Sequence, residues 1–393
     1  MHVKRVVIDK ANRLYKVPPD ILAFSHTKKR SLIPNRPEII DLASFRWPIQ
    51  YTPDLAPKAA ELSQASPKVI ETLREALANW VFQQHRVKVS PEREIFIGGG
   101  IGTMVNAVAV AFIENGEVAF VPDLAVPVYT RAVIVSGGEP IGYAISSKND
   151  WQPEFDRLNS RLTRVARILF LNSPHSPTGA VIPEKDLSAL IQLAAKEHLL
   201  LVNDAAFQTI PERAAPSLIG TEGGIKVGLE LYSFSYFFGL PFMPFGFAVG
   251  NREAISGMKA AASLTPAFIP AYYADIVLQY LRRPSATPHK TVRQQFQKNS
   301  VEASALCDAL NLEISGSSNI PFIWARIQRR RNSLNAARLL LRRSRILIAP
   351  GSSFGEHGQG YLRFSLTASV EDYRNALARL KRSPFRLTGG DNE

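Results

Sequence analysis

Short apolar runs alternate with amphipathic segments along the first two thirds of the chain. The helical pattern is clearest over residues 66–87, where Val69, Leu73, Leu77 and Trp80 recur at the spacing of one helix face. Strands that alternate with helices in this way indicate a mostly parallel sheet that is covered by helices on both faces. The expected strands are residues 94–97, 117–121, 168–171, 199–202, 231–234 and 246–250.

Four polar or glycine-rich segments follow expected strands directly. They are the glycine turn at residues 98–102, the loop at residues 172–179, Asp204, and residues 233–236. Because ligands of open α/β sheets bind at the carboxyl ends of the strands, we expect the four segments to meet in one cleft. The glycine turn opens a helix and is a potential anion site, although Thr103 replaces the last glycine of a GxGxxG pattern.

Length and pattern together indicate two domains preceded by an arm. A chain of 393 residues is long enough for two hydrophobic cores. Strand and helix patterns after Gly250 favour a smaller α+β domain at the C-terminus. We therefore divide the chain into an N-terminal arm (1–46) that packs with the small domain, a large cofactor-type domain (47–265) and the small domain (266–393).

Composition excludes several classes of protein. The single cysteine, Cys307, cannot form an internal disulfide, which is typical of a reducing cytoplasm. No apolar run reaches the roughly 18 residues of a membrane-spanning helix, and the N-terminus lacks the pattern of a secretory signal. The histidines and the cysteine show no metal-ligand spacing, so no metal is expected.

The net charge of +13 is concentrated at the C-terminal end, where the residues from Pro321 onward include 14 Lys/Arg and 5 Asp/Glu. No aromatic residues are interleaved with these charges in the manner of a nucleic-acid reader. The pattern favours a solvated arginine-rich face, and a nucleic-acid partner is not expected.

Several motifs occur in an order that resembles one enzyme family. They are GGGIG, PDLAVPVY, NSPHSPTG, VNDAAF, SFSY…GFAVG, PGSSFG and YLRFSLT. They resemble the class I and II aminotransferases, which use pyridoxal phosphate (PLP), and in style the diaminopimelate-type branch. The resemblance implies an α/β protein of PLP-transferase fold type I, with a mostly parallel seven-stranded sheet and a smaller α+β C-terminal domain. It also implies a site at a dimer interface.

The resemblance assigns binding roles to named residues. Arg363, in YLRFS, matches the arginine that binds the substrate α-carboxylate as a bidentate fork. Asp204 matches the carboxylate that pairs with the pyridine nitrogen of PLP. Val126 replaces the aromatic residue that packs on the cofactor ring, Ser176 replaces an asparagine, and Phe207 replaces a tyrosine. The phosphate-binding positions are Gly100, Ile101, Gly102 and Ser233.

The largest departure from the family pattern falls where the cofactor should be attached. The pattern Ser-x-Ser-Lys ends in Tyr236 here, and Pro244 replaces the phosphate-binding arginine. A phenol cannot form the imine that transaldimination needs, and a tyrosine pKa of about 10 makes it a poor base at neutral pH. Tyr236, the only candidate catalytic residue, is therefore expected to wall or plug the site, and PLP is expected to bind weakly or not at all.

Several functional hypotheses follow. The chain is either a catalytically silent aminotransferase-like subunit or an enzyme repurposed for a PLP-independent reaction in a biosynthetic pathway. The silent subunit would form a homodimer, or a heterodimer with an active relative. In either case the ligand is expected to be a small amino-acid-like molecule or a carboxylate. The alternative is an active enzyme of the family that uses PLP or pyridoxamine phosphate in an atypical site.

Two further expectations concern the surroundings of this site. His175 is expected to be a solvent-exposed loop histidine rather than a base. The aromatic run between Tyr232 and Phe245 falls where a polar phosphate cup should lie, which favours a cleft refilled with apolar side chains.

Overall fold

The computed structural model describes residues 10–18, 38–45, 63–155, 158, 160–208, 210, 215–238, 245–282, 289–316, 319–328 and 332–382. Most of the predicted N-terminal arm and Pro244 lie outside the described residues.

Two short elements of the arm are described. Helix α1 (Asn12–Lys16) lies next to Arg131, whose Nε donates to the carbonyl oxygen of Pro18 at 3.0 Å. Strand β1 (Ile40–Asp41) is completely buried. The arm therefore contacts the rest of the protein at two separate places.

Helix α2 (Pro67–His85) opens the large domain and confirms the helix predicted at residues 66–87. It begins after Ser66, whose Oγ accepts a hydrogen bond from the backbone N–H of Val69 at 3.3 Å, so the serine caps the first turn. The apolar face that the sequence pattern predicted is buried against the sheet and against the later helix Ala271–Arg282.

A sheet of seven strands forms the centre of the large domain, with the order β2-β8-β7-β6-β5-β3-β4. All neighbouring strands are parallel except β8, which runs antiparallel to both β2 and β7. The mostly parallel seven-stranded sheet is thus confirmed. The strands are β2 (Ile95–Gly99), β3 (Val118–Pro122), β4 (Glu139–Tyr143), β5 (Ala166–Asn172), β6 (Leu200–Asp204), β7 (Gly228–Ser233) and β8 (Phe245–Gly250).

Helices cover this sheet on both faces. They are α3 (Ile101–Phe112), α4 (Val128–Val135), α5 (Ser160–Thr163), α6 (Glu184–Glu197), α7 (Gly224–Val227), α8 (Phe234–Phe238), α9 (Arg252–Ala262) and α10 (Ala271–Arg282). Two expectations were wrong in detail. Phe234, assigned to a strand, begins the short helix α8, and the edge strand β4 was missed because most of its residues are at least partly exposed and carry no apolar run.

The C-terminal part of the chain forms a smaller antiparallel sheet with the order β12-β13-β10-β9. Its elements are α11 (His289–Ala309), β9 (Leu312–Ile314), β10 (Phe322–Ile327), α12 (Ser333–Ser344), β11 (Ile346–Leu347), β12 (Ala349–Pro350), β13 (Tyr361–Ser365) and α13 (Val370–Arg382). Strand β1 of the arm pairs in parallel with β11, and the N–H of Ser365 donates to the carbonyl oxygen of Leu42 at 2.7 Å.

A loop of the small domain rests directly on the end of strand β3. The N–H of Ala125 donates to the carbonyl oxygen of Phe354 at 2.8 Å. Gly355 follows with a φ of 120°, and a Cβ placed there would lie 2.1 Å from the carbonyl oxygen of Asp123. Only glycine permits this approach. The small domain therefore closes over the carboxyl ends of the parallel strands.

Among the described helices, none combines the length and the apolar character that crossing a membrane requires.

Candidate functional site

The polar segments that follow strands β5 and β6 meet in the structure, as the sequence predicted. Asn172 and Asp204 are paired residues at the ends of these two strands. The side-chain N–H of Asn172 donates to the carbonyl oxygen of Asp204 at 2.9 Å, and its Oδ1 accepts from the N–H of Ser176 at 2.7 Å. Ser176 is buried. One buried asparagine thus joins the loop that carries Ser176 to the strand that carries Asp204.

The Asp204 carboxylate is buried and hydrogen-bonded on both oxygens. Its Oδ2 accepts from the hydroxyl of Tyr129 at 2.7 Å, and its Oδ1 accepts from the N–H of Ala206 at 3.0 Å. Burial raises the pKa of Asp204 to about 6, although both hydrogen bonds act in the opposite direction. This carboxylate is therefore ionised at neutral pH and can still accept a hydrogen bond from a donor group of a ligand.

Tyr129 was missed as a functional residue by the sequence argument. It lies in helix α4, within the PVY motif that carried part of the resemblance, but no role was given to it. Burial, followed by the charge of Asp204, raises its pKa well above the usual tyrosine range, so its hydroxyl stays protonated and donates. The PVY motif thus pointed to Tyr129, but its hydrogen-bond partner, Asp204, lies 75 residues further along the chain.

The glycine turn forms the expected start of a helix. Gly100 is the N-cap of α3, and no side chain caps the first turn, so the amides of Ile101 and Gly102 are available to an anion. Ile101 also packs against the same apolar core as Tyr236. Ser233 is buried at the carboxyl end of β7, where it pairs with Gly246 of β8.

A second buried carboxylate, on β7 itself, holds the strand ends in place. Glu230 is fully buried and accepts hydrogen bonds from the Ser217 hydroxyl at 2.6 Å and from the N–H of Leu218 at 2.8 Å. It also accepts from the side chains of Asn203 at 3.1 Å and Tyr232 at 2.9 Å. These two donors immediately precede the cleft residues of β6 and β7, so Glu230 fixes the position of both strand ends.

The expectation of an exposed His175 was wrong. His175 is buried, with Nε2 at 2.6 Å from the carbonyl oxygen of Leu124 and Nδ1 at 2.8 Å from the hydroxyl of Thr178. Burial lowers the pKa of His175 to about 4, so the ring is neutral. A neutral ring whose two nitrogens are both engaged is a structural link between two cleft loops.

Four aromatic rings form the other side of the cleft, and we call them the aromatic cluster: Phe45, Phe207, Tyr236 and Phe322. The ring of Tyr236 lies 4.8 Å from that of Phe45 and 5.1 Å from that of Phe207, measured between centroids. Phe322 lies 6.0 Å from both phenylalanines. The cluster joins the arm, the large domain and the small domain at the position of Tyr236.

Tyr236 is surrounded by apolar groups and lies within electrostatic reach of two charges. Burial raises its pKa, the charge of Asp204 raises it further, and the charge of Arg363 lowers it. The phenol is therefore protonated at neutral pH and can act as a hydrogen-bond donor. Asp204 and Arg363, which the sequence predicted separately, both lie close enough to Tyr236 to act on its hydroxyl electrostatically.

Arg363 is a buried cation with an unsatisfied side chain. Its guanidinium lies over the ring of Phe322 at 3.9 Å and over that of Phe354 at 4.7 Å, measured to the ring centroids. Its Nη2 donates to the carbonyl oxygen of Ala43 at 3.3 Å, and its Nε has no hydrogen-bond partner among the described residues. Burial lowers the pKa of Arg363 to about 10, so the group stays charged at neutral pH.

Val126 completes the set of predicted residues. It is half-buried and packs against the apolar cores on both sides of β3. No group of three or more potential metal ligands occurs within the described ranges.

Comparison with known proteins identifies the architecture. The sequence profile of the family described as "Aminotransferase class I and II" matches residues 56–380. The chain belongs to this family. The family is PLP-dependent, and its members share fold type I with the mixed sheet and smaller C-terminal domain found here.

Two relatives extend the match to nearly the whole chain. The LL-diaminopimelate aminotransferase of Halothermothrix orenii is 27% identical over 394 residues, which covers 97% of this chain and 100% of the relative. That of Aquifex aeolicus is 25% identical, covering 94% of this chain and 98% of the relative. Both are named as active enzymes, and both agree with the predicted branch of the family.

Two solved structures superpose closely on this chain. Substrate-bound BacF from Bacillus subtilis has a TM-score of 0.87 at 20% identity, covering 98% of this chain and 100% of that one. A double mutant of Thermus thermophilus aspartate aminotransferase has a TM-score of 0.83 at 23% identity, covering 96% and 100%. At these identities the likeness establishes the fold.

Proposed function

We propose that this chain is a non-transaminating member of the aminotransferase family that binds a small carboxylate ligand in its cleft. The observation that carries this proposal is the packing of Tyr236 within the aromatic cluster. The resemblance aligns this residue with the lysine that forms the Schiff base in the family. A protonated phenol between two phenylalanine rings cannot form an imine or carry a proton between carbon atoms.

The residues around the cleft fit only part of a PLP molecule. The uncapped amides at the start of α3 suit a phosphate, and the Asp204 carboxylate suits a protonated pyridine nitrogen. The residue aligned with the attachment point does not suit a covalently held cofactor. Lys259, one of the nearest lysines along the sequence, donates instead to the carbonyl oxygen of Glu92. The cleft therefore does not fit Schiff-base PLP, and we derive no reaction through it.

Arg363 supports the carboxylate part of the proposal. A buried guanidinium with an unsatisfied Nε is costly unless a ligand supplies an acceptor. Its stacking on two rings leaves the edge of the guanidinium as the face that can donate, and a carboxylate accepts from that edge in a bidentate manner.

The test is a spectroscopic titration of the purified protein with PLP, before and after borohydride reduction. We expect no reduced adduct on the chain, whereas the Aquifex aeolicus relative, treated identically as a control, should give one. A reduced adduct that mass spectrometry maps to any lysine of this chain would disprove the proposal. It would instead favour the alternative of an active enzyme with an atypical site.

We also propose that the chain works as a dimer subunit, with itself or with an active relative. Leu264 and Phe268 are 76% and 58% exposed, and Leu264 and the half-exposed Val110 line a cavity of about 460 Å³ beside the glycine turn. A second chain of the same fold would cover this apolar surface. Light scattering should give a dimer, and Leu264→Asp should shift it to a monomer. A monomeric wild type that also recruits no family member on co-expression would contradict this.

A further inference from the structure

We infer that the cavity beside the glycine turn binds a phosphate group, either as inorganic phosphate or as the phosphate of a small ester. This is the cavity of about 460 Å³ that Val110 and Leu264 help to line. The inference goes beyond the proposed function and does not depend on the ligand that Arg363 binds. It follows from two cationic side chains that share the cavity and from one buried N–H group.

Several elements of the large domain line this cavity. They are strand β2, helix α3, the end of α9 with the segment that follows it, and one residue of α2. A volume of this size is in the usual range of small-molecule sites. Apolar side chains such as Phe96 and Val110 leave room for a short organic body. The polar lining residues are Arg74, Thr103, Asn106, Lys259, Ser263 and Thr265.

Two of these side chains are cations that lie close enough to repel each other. Burial lowers the pKa of Lys259 from its usual range, the charge of Arg74 lowers it further, and the charge of Glu92 acts in the opposite direction. The Nζ of Lys259 donates to the backbone carbonyl oxygen of Glu92, which holds the ammonium group in place. An anion bound to both Arg74 and Lys259 would offset this repulsion, since each cation then faces an opposite charge.

Arg74 also contributes a buried hydrogen-bond donor. Its Nε is buried from solvent and has no hydrogen-bond partner among the described residues. A buried N–H without an acceptor is costly, so an acceptor that enters the cavity is favoured. The Nε and a neighbouring Nη of an arginine form a fork that binds two oxygens of one phosphate.

The charge and shape of the lining favour a phosphate over a carboxylate. A phosphate monoester carries a charge of about −1.5 to −2 at pH 7 and has three free acceptor oxygens. It can therefore contact cations on two separate helices, α2 and α9, and still accept from polar groups such as the side chains of Thr103 and Asn106. A carboxylate has one charge and two oxygens, which a single arginine fork already matches.

This cavity differs from the uncapped start of α3, which suits the phosphate of PLP. The amides of Ile101 and Gly102 belong to that start, and the described residues that line the cavity include neither of them. The cavity uses instead the side chains of Arg74 and Lys259. The structure therefore assigns the chain a second anion site.

Chemical labelling of Lys259 tests the inference at the site itself. The wild-type protein is treated at about pH 8 with a limiting amount of an acetylating N-hydroxysuccinimide ester, and mass spectrometry measures the rate at each lysine. The reaction is run in inorganic phosphate and in sodium chloride of equal ionic strength, so that screening is the same. Lys226, an exposed residue of α7, is the internal control.

Phosphate should slow the acetylation of Lys259 at least about threefold and leave that of Lys226 unchanged. The reason is that a bound phosphate raises the pKa of the amine and covers it. Equal rates at Lys259 in the two salts would overturn the inference.

Two variants show whether both cations hold the phosphate. Arg74→Gln should remove most of the protection of Lys259, whereas Arg74→Lys, which keeps the charge, should retain part of it. Full protection in Arg74→Gln would overturn the assignment of Arg74 to the site. Because the comparison of salts needs only wild-type protein, a variant that fails to fold does not prevent the test.

An acidic side chain of a second copy of this chain is the alternative occupant. In that case phosphate would not protect Lys259, and its acetylation rate would rise on dilution as the dimer separates. This result would overturn the inference and assign the cavity to the dimer contact. The measurement uses neither PLP nor a carboxylate ligand, so its outcome is independent of the proposed function.

Discussion

The two sides of the cleft keep very different parts of the family pattern. On one side, Asp204 retains its carboxylate and receives a hydrogen bond from Tyr129, and the first turn of α3 remains uncapped. On the other side, the aromatic cluster surrounds Tyr236. The first side depends on strand ends and backbone amides, which the fold itself provides. The second depends on individual side chains, which can change while the fold persists.

The largest effect is expected from removing a ring of the aromatic cluster. Phe322 is 4% exposed and joins the small domain to the cluster. Phe322→Ala should lower the free energy of unfolding by about 3–5 kcal/mol, since it deletes a buried ring and leaves a cavity. Urea unfolding measures this, with Phe82→Ala as a control that should cost much less. Similar losses in the free energy of unfolding for Phe322→Ala and Phe82→Ala would show that the aromatic cluster does not hold the domains together.

The contribution of the polar side of the cleft to the free energy of unfolding should depend on pH. The folded pKa of Asp204 is about 6, raised by burial from the ordinary 3.8, so the folded protein binds this proton more tightly than the unfolded chain. The stability that the protonated carboxyl contributes is present below pH 4 and is lost as the pH rises through 6. Two pKa units correspond to a difference on the order of 3 kcal/mol.

Asp204→Asn removes this dependence, because an amide does not titrate. The free energy of unfolding of Asp204→Asn, minus that of wild type, should therefore increase between pH 4 and pH 7 by an amount of that order. Urea unfolding of both proteins across this range measures it. A difference that stays constant with pH would mean that burial does not raise the pKa of Asp204.

Replacing one tyrosine with phenylalanine on each side of the cleft should give the smallest changes in the free energy of unfolding. Tyr129→Phe deletes a hydrogen bond to a buried carboxylate and should cost about 1.5–3 kcal/mol at pH 7. Tyr236→Phe keeps the ring contacts and should cost less than about 0.5 kcal/mol. Urea unfolding of the two variants provides the test. A larger loss for Tyr236→Phe would mean that its hydroxyl, rather than its ring, stabilises the cleft.

Local sequence patterns predicted the residues at the strand ends, but not the residues that surround them. Asp204 was located correctly because an apolar run ends beside it, and its position next to Asn172 followed from the parallel sheet. The contacts of Phe322 with Phe45 and Phe207 were not predicted. They join parts of the chain that are far apart, and no period in the sequence encodes which distant rings will meet.

Burial of single polar residues was also beyond the sequence argument. His175 lies in a loop rich in serine and proline, a composition that is typical of exposed turns. In the structure, the small domain covers that loop, and both ring nitrogens have partners. Whether a loop residue is covered depends on how the two domains dock, and that information is not local.

The pairing of strand β1 with β11 has a consequence for what counts as the minimal unit of this protein. The family match begins at residue 56, yet Ala43 supplies a carbonyl oxygen to Arg363 and Phe45 supplies a ring to the cleft. A fragment trimmed to the matched region would keep the large sheet while losing one wall of its own binding site. The residues that form the cleft therefore begin before the point at which sequence similarity to the family begins.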